Sequence, residues 1–265
     1  MQNNKKYWLA LGWWAARGFA HIWLIKYLEE QNIEITEVAW TSMWSIVAAI
    51  FAIWKNSDEM KKVSSEINFL KLIDLDLKKW IVKWEKIYQK LFEIFWDKKI
   101  EDCEISLKIV ASDLDLWEKV VFEKWKIIDA IRASIWIPWV IAPFEFEWKN
   151  LVDWWILNNL PVDVLNSENV IACSVLRDLK REVKFKKTVF WIDFDKWIFS
   201  NSYSILQKTI DIMMSQNEKN SVNIWKNSWK NIVLLNPKFE WVDYWEFHKF
   251  EEIIEVWYSF AEKKL

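Results

Sequence analysis

Short apolar runs alternate along this chain with longer stretches in which apolar residues recur at helical spacing. Tyr7–Leu11 is the first such run, and it predicts a buried strand of a parallel sheet. Residues 19–30 follow with helical spacing and stop at Glu29-Glu30; residues 35–39 predict a second strand and 46–53 a buried helix. Ser57, with Asp58 and Glu59 after it, marks a capped helix start in a mixed helix and loop stretch reaching residue 76, and 85–95 predict another amphipathic helix. Residues 107–112 and 118–122 predict two strands, as a hairpin or in succession, and 127–133 a short helix. The prolines of 137–143 fix a rigid loop, a strand ends in a corner at Asp153, and 169–175 predict another strand. Beyond a charged stretch at 177–187, read as a solvated linker, come a long helix at 203–216, a strand at 233–235 and a closing helix at 248–263. Strands alternating with helices over this length predict the α/β class: three α/β/α layers around a central, mostly parallel sheet.

Bulk properties narrow the setting. A length of 265 residues without repeats predicts a single domain over residues 6–265. The 36 basic and 38 acidic side chains nearly cancel, so no nucleic-acid partner is expected. Cys103 and Cys173 lie far apart, and in a chain without a secretory signal they read as buried thiols of a reducing compartment. No apolar run is long enough to span a bilayer. The expected setting is cytoplasmic, with peripheral membrane contact open.

Composition then changes the picture. The chain holds 24 tryptophans and 2 glycines, whereas an average domain has about 7% glycine. The two types together make a normal glycine content. The tryptophans also stand where turns want glycine, as in Leu116-Trp117-Glu118, Lys124-Trp125-Lys126, Glu147-Trp148-Lys149 and Ser228-Trp229-Lys230. Such turns often need φ > 0, which glycine reaches without steric cost and tryptophan does not. Trp13-Trp14 and Trp154-Trp155 would crowd large rings into tight corners. The pattern fits a gene whose host reads UGA as glycine, with those codons rendered as tryptophan; the alternative is a chain in which the tryptophans are genuine or deliberately introduced.

With glycine at positions 40 and 44, Trp40-Thr41-Ser42-Met43-Trp44 becomes a serine nucleophile elbow, and it lies where that motif must, between a strand and a helix. Two further stretches stand in order around it: Gly12-Trp13-Trp14-Ala15-Ala16-Arg17-Gly18, and Asp153-Trp154-Trp155 with Asn158-Asn159-Leu160-Pro161 after it. Between them lies Arg132-Ala133-Ser134. The ordered set resembles the bacterial patatin-like phospholipases over nearly the whole chain, from about residue 6 to the last helix. One departure is Ala15, where the family's loop often has glycine.

That resemblance implies a patatin-like fold and a lipid acyl hydrolase, a phospholipase, lysophospholipase or esterase with a Ser–Asp dyad. It implies Ser42 as nucleophile, Asp153 as general base, and backbone N–H groups of Trp13, Trp14, Ala15 and Ala16 as the oxyanion hole. Arg17 and Gly18 would steady that loop or meet an anionic head group. Gly12, Trp40, Trp44, Trp154 and Trp155 would flank the motifs, and Arg132 would be an internal anchor. The expected partner is a lipid or small ester. No cofactor is implied, and two histidines with two isolated cysteines offer no metal-ligand spacing. His21, just past the glycine loop, reads as structural. Residues 67–77 and 137–146 are candidate lid or interfacial segments.

Two other readings compete. A glycine-rich loop after a first strand also suits a nucleotide-binding unit, but such a unit wants an acidic residue ending the second strand, where Thr41-Ser42 stands. If the tryptophans are genuine, Trp13, Trp14, Trp40 and Trp44 would clog the elbow and the oxyanion hole, leaving an inactive interaction protein.

Overall fold

The computed structural model describes residues 6–12, 18–54, 56–66, 75–76, 81–82, 84–135, 144–153, 157, 159–176, 188–189, 192–193, 200–226, 231–236 and 250–264. In chain order the elements are β1 (Tyr7–Leu11), α1 (Ala20–Glu30), β2 (Ile35–Thr41), α2 (Ser45–Trp54), α3 (Ser57–Glu66), β3 (Leu75–Asp76), β4 (Ile81–Val82), α4 (Trp84–Phe95) and β5 (Ser106–Asp113). Then follow β6 (Glu118–Phe122), α5 (Ile127–Ser134), β7 (Phe144–Phe146), β8 (Lys149–Asp153), β9 (Asn169–Cys173), β10 (Thr188–Val189), β11 (Ile192–Asp193), α6 (Ser200–Lys226), β12 (Asn231–Leu235) and α7 (Phe250–Lys264).

The central sheet has the order β12-β9-β1-β2-β5-β8-β7, with β6 also paired to β5. Strands β12, β9, β1, β2 and β5 run parallel, while β6 and β8 pair antiparallel with β5 and β7 pairs antiparallel with β8. The expected three-layer architecture with a mostly parallel sheet is what forms, extended at one edge by antiparallel strands. Two buried clusters lie on its two faces. Leu9, Leu11, Val38 and Ile109 join the core that holds α1 and α2, while Ala10, Ala39, Val110 and Ala172 pack with Leu160, Val162 and Val222 of α6. Parallel strands covered on both sides need apolar residues at nearly every position, which is why β1 and β2 read as continuous runs. A buried lysine ties β2 to β5: Lys108 Nζ meets Glu37 at 3.3 Å and donates to the Val164 carbonyl at 2.9 Å.

Three expectations need correction. The N-cap of α3 is Asn56, whose Oδ1 accepts from the N–H groups of Asp58 and Glu59; Ser57 is the first helical residue and bonds to Glu29. Cys173 is buried, but Cys103 is only partly so. Helix α6 runs to Lys226 rather than stopping at residue 216. Beyond residue 216 the chain reads as polar, and the buried stripe Met214, Glu218, Val222 contains a carboxylate, so apolar spacing is lost from the sequence although the helix continues. The charged stretch 177–187 and most of 67–77 and 137–146 lie outside the described residues. No helix among the described residues is long and apolar enough to cross a membrane.

The turns bear on the tryptophan question. Seven described non-glycine residues have positive φ, and four are Trp96, Trp117, Trp125 and Trp148. Glycine-requiring geometry and tryptophan therefore coincide. Trp125 has φ 107°, outside even the left-handed helical region that asparagine tolerates. Glu147 (φ 46°) and Trp148 (φ 66°) close the two-residue β7–β8 hairpin with positive φ at both positions, the geometry that favours Asn-Gly or Asp-Gly. The Trp148 side chain is fully exposed, so no packing holds it there. Trp148→Gly is expected to raise the free energy of unfolding by about 1 kcal/mol, read as a rise in the urea midpoint at constant m-value. An unchanged or lowered midpoint would contradict the strain.

Candidate active site

Strand β2 leaves the sheet in extended geometry at Thr41 (φ −124°, ψ 155°), and the chain turns at once through a single 3₁₀ turn, Ser42–Trp44, into α2. Ser42 has φ 62° and is almost wholly buried. A left-handed serine at a strand-to-helix corner is strained backbone, which persists only where the surroundings over-determine it. Three hydrogen bonds do so. The Ser42 N–H donates to Ser134 Oγ at 2.8 Å, and the Ser134 hydroxyl donates onward to the Val110 carbonyl at 2.7 Å. The Ser45 hydroxyl donates to the Ser42 carbonyl at 2.5 Å. The corner is thus fastened to α5 and, through α5, to β5.

Register sets what lies beside it. Thr41 pairs with Val110, and the next residue of β5, Ala111, pairs with Asp153. Ser42, one residue past Thr41, therefore stands at the level of Asp153 two strands away, with only alanine between. Two strand spacings amount to about 10 Å between Cα atoms, a gap that a serine and an aspartate side chain turned toward each other nearly close. Asp153 is fully buried as the last residue of β8, and its carbonyl accepts from the Ser112 hydroxyl at 3.5 Å.

The root of the glycine-rich loop arrives at the same sheet edge. Gly12 follows β1, donates its N–H to the Cys173 carbonyl at 2.9 Å and accepts from His21 Nε2 at 2.8 Å. A Cβ on Gly12 would sit 3.2 Å from that carbonyl oxygen, so the close approach favours glycine. His21 is buried, and burial pulls its imidazole down to about 4, the carbonyl bond acting weakly the other way. The ring is therefore neutral near pH 7 with its proton on Nε2 and engaged by Gly12, the structural part expected of it rather than that of a base for Ser42.

Trp40 and Trp44 are both completely buried at this corner. The Trp44 ring lies across Gly18: a Cβ there would come within 2.0 Å of Cε2. Phe19 meets the same ring edge-on at 5.0 Å, and His21 meets Trp40 at 5.1 Å. The Trp40 indole N–H finds no acceptor among the described residues, a loss of about 1–3 kcal/mol. Two indoles of the elbow thus pack against Gly18, Phe19 and His21. A cavity of about 280 Å³ opens instead near the start of β2, between Leu28, Ile35, Phe51 and Ile105, far along the strand from Ser42; the corner chemistry does not use it.

Of the remaining expected residues, Arg132 lies on α5 with its guanidinium 4.7 Å from the centre of the Phe144 ring, and burial lowers its pKa. Trp13, Trp14, Ala15, Ala16, Arg17, Trp154 and Trp155 lie outside the described residues. No group of three or more His, Cys, Asp or Glu among the described residues could hold a metal ion. Ser134 escaped the sequence reading as a site residue. Its place two residues after Arg132 drew attention to the segment, but a hydroxyl on a helix end does not announce a partner 92 residues away.

Ser134→Ala would leave the buried Ser42 N–H without an acceptor, and is expected to lower stability by about 1–3 kcal/mol in denaturant titration. Ser259→Ala, removing an exposed hydroxyl that bonds to the Val256 carbonyl of its own helix, should stay within about 0.5 kcal/mol of the parent. Equal effects would mean that the relay does not hold the corner.

Comparison with known proteins agrees with this architecture. The family model described as Patatin-like phospholipase matches residues 15–166. An uncharacterized NTE family protein of Mycobacterium tuberculosis (Rv1063c) is 35% identical over 173 residues, covering 63% of this chain and 48% of that protein. Lysophospholipase NTE1 of Candida albicans is 26% identical over 280 residues, 98% of this chain and 20% of its own length. The chain thus spans about half of the mycobacterial relative and a fifth of the fungal one. Among solved structures, VipD from Legionella pneumophila superposes with a TM-score of 0.58 over 99% of this chain and 66% of its own, at 13% identity, a likeness of fold. With the family model covering more than half of its length, this chain belongs to the patatin-like phospholipase family.

Proposed function

We propose that this chain is a lipid acyl hydrolase in which Ser42 is the nucleophile and Asp153 the general base. The observation that carries the reading is the Ser42 corner: a buried, left-handed serine between strand and helix, level with a buried aspartate two strands away. Asp153 takes the hydroxyl proton as Ser42 Oγ attacks an ester carbonyl. The tetrahedral intermediate places its negative charge toward backbone N–H groups of the 13–16 loop, a term of about 3 kcal/mol per donor in comparable sites. Collapse expels the alcohol, which leaves with the proton held by Asp153, and an acyl-serine ester remains. Water, deprotonated by Asp153, then hydrolyses that ester and returns the proton to Ser42. The family and the fungal lysophospholipases favour a lipid ester as substrate.

The chemistry requires glycine, not tryptophan, at positions 13, 14, 40, 44, 154 and 155 of the working enzyme. Support comes from the Trp44 ring lying on Gly18 and from positive φ at Trp96, Trp117, Trp125 and Trp148. Removing the Trp44 indole would open a slot bordered by Gly18, Phe19 and His21, beside Ser42. The buried rings favour one other reading, an inactive member of the family in which tryptophan fills the site by design.

One experiment separates these. Protein purified from its own host is treated with a fluorophosphonate probe and the labelled peptide is sequenced by mass spectrometry. The expected result is a label on Ser42 with glycine masses at 40 and 44. Ser42→Ala should abolish labelling and reduce ester hydrolysis by a factor on the order of 10⁶. Tryptophan masses with Ser42 unlabelled would leave the fold standing and remove the enzyme.

A further inference from the structure

The long helix α6 turns Met214, Glu218 and Val222 inward, each one turn after the last. A carboxyl group in that stripe replaces what would ordinarily be an apolar side chain. It has partners. Asn159 Nδ2 donates to Glu218 Oε2 at 3.2 Å, and the Ser174 side chain also bonds to the carboxyl. Asn159 lies six residues after Asp153 and is fully buried, and Ser174 follows directly on Cys173 at the end of β9. The two segments converge on Gly12, whose Cβ position is 3.2 Å from the Cys173 carbonyl and 3.6 Å from that of Asn159. One carboxyl on a helix therefore backs both Asn159 and the root of the glycine-rich loop.

We infer that Glu218 is a positioning residue for the proposed reaction, setting the Asn159 turn and the Gly12 root in one of two hydrogen-bonded arrangements according to its own protonation. The inference rests on the Ser42–Asp153 reading. With Glu218 ionised, Oε2 accepts from Asn159 Nδ2, as observed, and Asn159 Oδ1 has no donor among the described residues. With Glu218 protonated, its O–H is a donor, and a half-turn of the Asn159 amide presents Oδ1 to it. The Nδ2 donors then point where Oδ1 pointed before. The two states thus present opposite groups of the Asn159 amide, a carbonyl oxygen or an NH2, at the same place.

Burial, opposed by the bonds from Ser174 and Asn159 and by Lys219, raises the carboxyl to about 7, so both states are populated near neutral pH. Lys219 lies on the same helix, and the Cys173 thiol of β9 is itself pushed up by burial and by Glu218. Asp163, in the 162–164 turn packed on α6, is held by Lys119 at 2.8 Å. Strand β12 contributes no titratable residue.

The test compares the parent with Glu218→Gln, which keeps the size of the side chain and, like the protonated acid, carries both a donor and an acceptor, but cannot ionise. In the active enzyme kcat should change severalfold across a step near pH 7, with KM unmoved, and the step should vanish in Glu218→Gln. A step of the same size and midpoint in the variant, or none in an active parent, overturns the inference. A second measurement does not need turnover: the Asn159 side-chain amide resonances, followed by NMR, should shift with a midpoint near 7 in the parent and stay constant in the variant. If no ester is hydrolysed, the nucleophile reading has failed, and the Asn159 resonances still decide; their indifference to pH would sink the role of Glu218. Stability carries a third signature. The folded chain holds the Glu218 proton more tightly than the unfolded one, so this group costs nothing below its ordinary value of 4.5, destabilises increasingly up to about 7, and then costs a constant amount. The difference in melting temperature between parent and variant should follow that course, and a flat difference would contradict it.

Discussion

The constraint on which the rest depends is the corner at Ser42, where the chain must pass from strand to helix without an intervening loop. A left-handed backbone at a serine costs energy locally, and it is held by a relay running from the Ser42 N–H through the Ser134 hydroxyl to the Val110 carbonyl. The relay joins β2, α5 and β5, so the corner is rigid only if the central sheet and the helix on its face are both in place. The proposed reaction would draw on this pre-organisation, since a serine already bent out of the sheet needs no reorganisation to attack. The buried Lys108–Glu37 contact serves the same end, since it ties β2 to β5 and thereby supports the register that sets Ser42 level with Asp153.

Much of this was legible from the residues. The apolar runs of β1, β2, β5 and β9 marked buried parallel strands because both faces of those strands are covered, and the serine stood where strand changes to helix. What could not be read was any contact made across the chain. The Ser42–Ser134 bond joins residues far apart in sequence, and nothing local to either encodes it. The capping of α3 by Asn56 rather than Ser57 is a matter of one residue, beyond what composition resolves. The second half of α6 was hidden for a different reason. Its core face carries Glu218 between Met214 and Val222, and a polar residue at a core position breaks the periodicity by which helices are recognised. The residue that obscured the helix is the one whose burial asks for a functional explanation.

The tryptophans bind these points together. At the turns their rings hang in solvent: Trp96, Trp117, Trp125 and Trp148 are all exposed and all at positive φ. At the corner they are wholly buried, with the Trp40 N–H lacking an acceptor among the described residues and the Trp44 ring against a backbone that admits no Cβ. Selection for large aromatic rings would place them where their area is buried and their N–H is satisfied; the four at the turns bury little area, and Trp40 has no N–H acceptor among the described residues. A requirement for glycine accounts for both, because a hairpin needs freedom of φ and a nucleophile elbow needs empty space, and glycine supplies each by lacking a side chain. The fold tolerates the rings because the sheet and its covering helices are specified by other residues. The proposed reaction does not tolerate them, because it depends on the volume they occupy.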